Sequence, residues 1–421
     1  MKRCPKCRRD YTDETLNYCL DDGTTLVDGP SSGEAPTAVF GEREISRSAG
    51  TPWRSLNVWT VAVVVLAFAI GGGGYWFFSR SPVIKTGPSP AVNDNYLRAK
   101  ILVANENRAS IDSAIELLRQ VVKDDPQFAA GWAQLARALN KKAFYFASGD
   151  ERKSLNEDSE VAAERSLTLD PNLAEGHLAR GLILWTHAKR FPHEVAVQSY
   201  KRAIELDPKL DEAHHQLALV YLHIGLLDKA QAEIAKTLEI NPGNTLARLR
   251  YGVIDLYRGK YEEAYQFFKS TSPDQSSAIQ SFQLATAAFK LGRIDEAEKL
   301  MDGYLSENPA DEGGVATSVK AMILAQKGKT TEAEAAIHHA EEIGRDFGHF
   351  HHTAYNIASA YAILKKPDKA VDYLQLAADD GLPCYPLFEN DDVFKDMRQF
   401  PPYIALIAKL KQQWERYNAT L

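Results

Sequence analysis

The residues with the clearest capacity for chemistry stand at the start of the chain: Cys4, Cys7 and Cys19, with Asp22 where the spacing calls for a fourth thiol. Eleven residues separate the first pair from the second. That pattern puts two short knuckles at the ends of a small hairpin, and zinc takes four such N, S or O donors in a tetrahedron. Fewer than about thirty residues cannot bury enough apolar surface to fold unaided, so a structural zinc is the expected staple. Asp22 holds zinc less firmly than a thiolate, which leaves a metal-free remnant or a redox-sensing thiol cluster as alternatives. A closed four-ligand set has no open position for catalysis.

Elsewhere the chain offers little catalytic chemistry. It contains no Gly-rich phosphate loop, nucleophile elbow or His-Glu-x-x-His helix. Histidines gather at His214 with His215, at His338 with His339, and at His349 with His351 and His352. Neighbours on a helix point about 100° apart, so a doublet does not readily offer two ligands to one metal. These side chains read as solvated or packing groups, and Cys384 reads as a buried small hydrophobe. No enzyme is expected.

The elements that must carry such residues follow from composition. At 421 residues and 45% hydrophobic, the chain can bury a large core. Its net charge of −7, with basic residues scattered, gives no electrostatic footprint for nucleic acid. Four cysteines, three of them near the start, do not make a disulfide framework. Residues 29–55 are rich in Gly, Ser, Pro and charge and read as a flexible linker after the 1–28 module.

Residues 56–78, "LNVWTVAVVVLAFAIGGGGYWFF", contain no charge. As a helix they reach roughly 34 Å, enough to cross a lipid bilayer's hydrocarbon core. Trp53 and Trp59 at one end, and Tyr75 and Trp76 at the other, suit the two interfaces. The small residues Ala67, Ala69 and Gly71 to Gly74 offer a face on which two such helices could pack as a homodimer. Arg43, Arg47 and Arg54 precede the span and Arg80 and Lys85 follow it, a slight bias, and the thiols need a reducing compartment. Both point to a cytoplasmic N-terminus, with a second linker, 79–94, and everything after it outside.

Beyond that linker the sequence repeats itself. Helical patterns end in Pro126, Pro171, Pro208, Pro242, Pro273 and Pro309, and Pro208 to Pro242 is a step of 34 residues. In "DEAHHQLALVYLHIGLLDKAQAEIAKTLEINP", Leu217 and Ala218 form a large-small pair, Gly225 makes a turn and Ala230 allows close helix approach. The same chemistry recurs at Gly252, Gly259 and Ala264, at Gly292 and Ala297, at Gly328 and Ala333, and at Ala358 and Ala370. This array resembles the tetratricopeptide repeat. About eight copies start near Asn95, Ala129, Ala174, Asp211, Thr245, Ala278, Gly314 and His351, the second carrying an insertion read as a surface loop around "YFASGDERKSLNE".

The expected fold is therefore all-α, a helical-hairpin solenoid over 95–384. Capping helices follow over 385–421, the last with Tyr403, Ile407, Leu410, Trp414 and Tyr417 on one face. This tail resembles those that follow such arrays in bacterial sensor proteins. The opening segment, with Tyr11, Tyr18-Cys19 and Asp22-Gly23, resembles the zinc ribbons of bacterial membrane proteins, which implies the bacterial cytoplasmic membrane as its place.

The resemblance to tetratricopeptide repeats implies a concave groove that binds a peptide or protein partner. The corresponding positions here are Trp185, His215, Leu219, His223, Phe282, Phe289 and Tyr355. The basic and Asn pairs with which some members clamp a carboxylate are missing. An interaction scaffold is the favoured reading, and a sensory protein signalling through a cytoplasmic kinase or transcription regulator is the alternative. The anchor predicts that a reporter active only outside the cytoplasm works when fused after Leu421 and fails before Trp53; the opposite pattern would reverse the orientation.

Overall fold

In the computed structural model the described residues are Lys2–Arg3, Asp10–Tyr11, Val27–Asp28 and 87–421, apart from 105–106 and 272–277. The chain divides into Met1–Lys85 and Thr86–Leu421. In the first unit Lys2–Arg3 (β1) pairs antiparallel with both Asp10–Tyr11 (β2) and Val27–Asp28 (β3). Cys4, Cys7, Cys19, Asp22 and the apolar run 56–78 lie outside the described residues. Among the described residues no helix is long and apolar enough to cross a membrane.

The second unit is helical. Its pairs are α1 (Pro90–Ala104) with α2 (Arg108–Asp124), α3 (Ala129–Tyr145) with α4 (Gly149–Leu169), and α5 (Ala174–Leu184) with α6 (His193–Leu206). Next come α7 (Asp211–His223) with α8 (Leu227–Ile240), α9 (Thr245–Tyr257) with α10 (Tyr261–Ser270), and α11 (Ala278–Lys290) with α12 (Ile294–Glu307). The last pairs are α13 (Val315–Gln326) with α14 (Thr330–Gly344) and α15 (Phe350–Ile363) with α16 (Pro367–Asp379). A short α17 (Tyr385–Asn390), a 3-10 turn (Asp392–Met397) and α18 (Pro401–Thr420) complete the unit.

The sequence signals act as expected at most positions. Helices α2, α4, α6, α8 and α12 each stop two residues before Pro126, Pro171, Pro208, Pro242 and Pro309, because the ring cannot continue a helix. Gly225, Gly259, Gly292 and Gly328 turn between paired helices with φ of 77°, 75°, 74° and 73°, a left-handed conformation that a Cβ disfavours. Ala230, Ala264, Ala297, Ala333 and Ala370 are all fully buried where the two helices of a pair meet. Any larger side chain there would force the pair apart.

Two expectations are corrected. The insertion near residue 148 is not a loop: only 146–148 connect the helices, and the extra residues make α4 21 residues long. Asp150 and Glu151 favour its positive N-terminal end, and Leu155, Ser159, Ala162, Ala163 and Ser166 give it a buried stripe. The first helix starts at Pro90, earlier than Asn95, and buries Val92 and Tyr96.

The array also bends until it meets itself. Gly348 lies against Phe144, where a Cβ would fall 2.4 Å from the ring, and Gly381 lies similarly against Phe191 at 2.7 Å. His187 pairs with Asp380, and the Arg152 guanidinium donates to the Asp346 carbonyl. Helix α18 covers the last pair and reaches back to earlier ones: the Trp414 indole donates to the Gly225 carbonyl at 2.9 Å, and Arg416 pairs with Glu194 at 2.9 Å. The last and the early hairpins are thus in direct contact.

This closure makes two similar glycines unequal. An alanine Cβ at Gly259 meets nothing within 4 Å, whereas at Gly225 it would lie 2.6 Å from Pro386 and 3.2 Å from Trp414. Urea unfolding should show Gly259→Ala losing about 1–2 kcal/mol from backbone strain. Gly225→Ala should lose about 1–3 kcal/mol more from the clash; equal losses would mean that α17 and α18 do not rest there.

Candidate functional site

An open cleft lies between α9, α11 and α15, with about 540 Å³ of empty space that includes solvent outside it. Phe282, Gln283 and Thr286 on one side face His352, Tyr355 and Asn356 on the other, with Lys290 and Asp391 deeper in. The protein's own tail forms that end of the cleft. Asp391 is buried, and its carboxylate accepts from Lys290 Nζ at 2.5 and 2.7 Å, from the Tyr355 hydroxyl and from the Val393 amide at 3.0 Å. Burial and the adjacent carboxylate hold the Tyr355 phenol well above its ordinary pKa, so it stays a donor.

Of the predicted groove residues, Phe282 is half-buried and Tyr355 is buried, and both line this cleft. Trp185, His215, Leu219, His223 and Phe289 are also buried. Trp185 ends α5 and donates from its indole to His193 Nδ1 at 3.0 Å, which requires a neutral His193; burial lowers that ring's pKa to about 3. His215 sits among helices with Nε2 unpartnered, its pKa pushed down to about 3 by burial and then by Arg250. Cys384 is fully buried and its thiol is raised to about 12.

The histidine doublets behave as expected. His338 and His339 are exposed, and His214 pairs with Glu233 at 2.6 Å, which raises its pKa. The third group does not. His349, His351 and His352 meet His223, with ring centroids 4.6 to 5.7 Å apart. One nitrogen from each ring belongs to a set lying within 4.8 Å. The 100° rule fails because His349 precedes the first residue of α15, and because the fourth ring arrives from the end of α7. No local signal in the sequence joins His223 to the other three.

Phe144, Trp185, Phe191 and Phe347 wall the cluster with their ring edges and faces. Burial holds His223, His349 and His352 well below their ordinary pKa, in the neutral form that binds metals. His351 Nδ1 donates to the Asp380 carbonyl at 2.8 Å and His223 Nδ1 to the Leu219 carbonyl at 2.7 Å. A carbonyl can only accept, so Nδ1 carries the proton in both rings, and the neutral His223 ring keeps its lone pair on Nε2.

One family profile, described as TPR repeat, matches residues 193–225. Two described as Tetratricopeptide repeat match 282–346 and, in two copies, 211–244 and 351–379. The chain carries tetratricopeptide repeats. It is 26% identical over 134 residues to Anaphase-promoting complex subunit 3 of Schizosaccharomyces pombe, covering 32% of this chain and 20% of that protein. It is 23% identical over 254 residues to BBSome complex member BBS4 of Bos taurus, covering 59% and 43%. The chain spans less than half the length of either relative. Among solved structures, a Rap protein complexed with competence and sporulation factor aligns with a TM-score of 0.60 at 13% identity, over 78% of this chain and 99% of that one. This last likeness is one of fold.

The Asp391 contacts predict a measurable dependence on one carboxylate. Asp391→Ala would leave a buried ammonium and a phenol without their acceptor, at a cost of about 3–5 kcal/mol. Thermal unfolding should fall accordingly, while Asp392→Ala, on the exposed neighbour, should change it little.

Proposed function

We propose that this chain is a membrane-anchored scaffold that holds a peptide or protein partner in the concave cleft of its tetratricopeptide array. Residues 56–78 serve as the single span through the bacterial cytoplasmic membrane, with the N-terminus in the cytoplasm and the array outside. Cys4, Cys7, Cys19 and Asp22 hold a structural zinc in the 1–28 module, which docks a second partner. The antiparallel pairing of β1 with β2 and β3 supports the ribbon reading, since the four ligands fall in the two connections between those strands. Small residues in the span would let two chains pair.

The observation that carries the scaffold reading is the cleft itself. Phe282 and Tyr355 supply an apolar floor, and Gln283 at the rim can both donate to and accept from an extended backbone. Both curated relatives are, by name, parts of multi-subunit complexes, which agrees with an assembly role. The remaining predicted positions, Trp185, His215, Leu219, His223 and Phe289, are buried and belong to the packing of the array. No catalytic step is assigned.

Cross-linking in native membranes tests this reading. Phe282→Asp with Gln283→Lys should remove the partner captured by the unaltered chain, at unchanged helical content. An identical captured set would overturn cleft binding. Envelope-assembly proteins among the lost partners support a scaffold; a kinase or response regulator would move the assignment to signalling.

A further inference from the structure

The cleft does not account for the four histidines beside it. His223 Nε2 is buried and has no hydrogen-bond partner, although its tautomer places the lone pair there. A buried acceptor left unmatched costs stability and calls for a physical reason. His351 Nε2 faces His349 Nδ1 at 3.1 Å, so within the cluster one N–H serves one lone pair and the His223 lone pair goes unserved. With Nδ1 of His223 and His351 directed at backbone carbonyls, few N–H groups remain inside the cluster to serve the ring nitrogens that face one another, and a bound cation would satisfy those nitrogens.

We propose that His223, His349, His351 and His352 form a binding site for a divalent transition-metal ion of the zinc, copper or nickel class, distinct from the N-terminal cysteine set. Imidazole suits these borderline ions, whereas magnesium and calcium require oxygen ligands. In a tetrahedral site with nitrogen ligands at about 2.0–2.1 Å, neighbouring nitrogens lie roughly 3.3 Å apart. The His349–His351 pair is already at 3.1 Å, and the rest of the set lies within 4.8 Å. Side-chain rotation can close that difference, because His349 and His352, though largely covered, keep some exposure that His223 and His351 lack. For His349 to ligate through Nδ1 its proton moves to Nε2, which leaves the ring neutral.

The surroundings match what a metal-binding histidine needs. The second nitrogens of His223 and His351 are each fixed on a backbone carbonyl, which orients the ring and raises its basicity. Behind His351 stands the buried Asp380, with Oδ2 at 3.6 Å from Nδ1 and no hydrogen-bond partner, and with Oδ1 on His187. Its negative charge offsets part of the charge of the ion. His352 also lines the concave cleft, which provides a path for metal entry. His223 and His349 are 126 residues apart, so the ion would clasp the fourth hairpin to the eighth where the array meets itself. Closing so long a loop is where a metal clip has most effect on the unfolded chain.

The test uses the untagged full chain carrying Cys4→Ser, Cys7→Ser and Cys19→Ser, so that thiolates do not contribute. Dialysis against zinc should load about one ion per chain, the zinc X-ray absorption edge should report nitrogen or oxygen ligands without sulfur, and the thermal midpoint should rise with zinc and not with magnesium. His349→Gln and His352→Gln, at the two less enclosed rings, should each weaken zinc binding by more than the roughly 10–100-fold that loss of an outer-shell partner costs and abolish that rise, with helical content retained. Failure of the cysteine-free chain to bind zinc would overturn the proposal. Unchanged binding in both histidine variants would also overturn it. Should either variant fail to fold, the absorption spectrum of the parent chain decides alone: a shell without imidazole scattering refutes the site.

Discussion

A pair of antiparallel helices has more apolar surface than it can cover by itself, and each pair in this array must therefore lean on the next. The constraint is met at a small number of places. Ala230, Ala264, Ala297, Ala333 and Ala370 occupy the same station in successive pairs, and none is exposed. Packed helix axes lie about 8–10 Å apart depending on the side chains at the contact, and small ones bring a pair to the near end of that range. Larger groups fill the remaining space: Tyr200 and Phe268 pack on Gly181 and Gly252 of their partner helices, and the Tyr265 hydroxyl reaches Glu296 in the next pair. The bend of the array is the accumulated result, and the position of the cleft follows from that bend.

Much of this was legible in the sequence because the signals are local. A proline two residues past a helix, or a glycine where φ must be positive, acts within a few residues of itself. The starts at Ala129, Ala174, Asp211, Thr245 and Ala278 coincide with helix starts in the structure. In sequence the insertion after Tyr145 looks like a loop because its charge and its Gly149-Asp150 pair resemble a turn. The buried stripe of α4, from Leu155 to Ser166, decides otherwise.

The sites were less legible, for a physical reason. Whether an aromatic residue on an inner helix faces solvent depends on what covers it, and here the covering pieces come from far along the chain. Asp391 reaches Lys290 from 101 residues away, and Leu421 meets Lys201 across 220. Helix periodicity assigns Trp185 or His223 to a face but cannot say that the tail, or another histidine, will close over it. Phe282 escapes this covering and stays partly accessible. The two candidate sites share helix α15: His352 belongs to the histidine group and Tyr355, about one turn later, to the cleft, so movement of that helix would be felt by both.

The contact between early and late hairpins changes how such a molecule comes apart. In an open stack each end can peel away unit by unit, since a terminal member touches a single neighbour. Here α18 and the Gly348 to Gly381 region are seated on hairpins nearer the start, so fraying from the C-terminal side must first break a junction built on Phe144, Phe191 and Gly225. Melting is then expected to involve the hairpins from α3 to α18 together rather than in sequence, and amide exchange across that stretch would slow to a common rate.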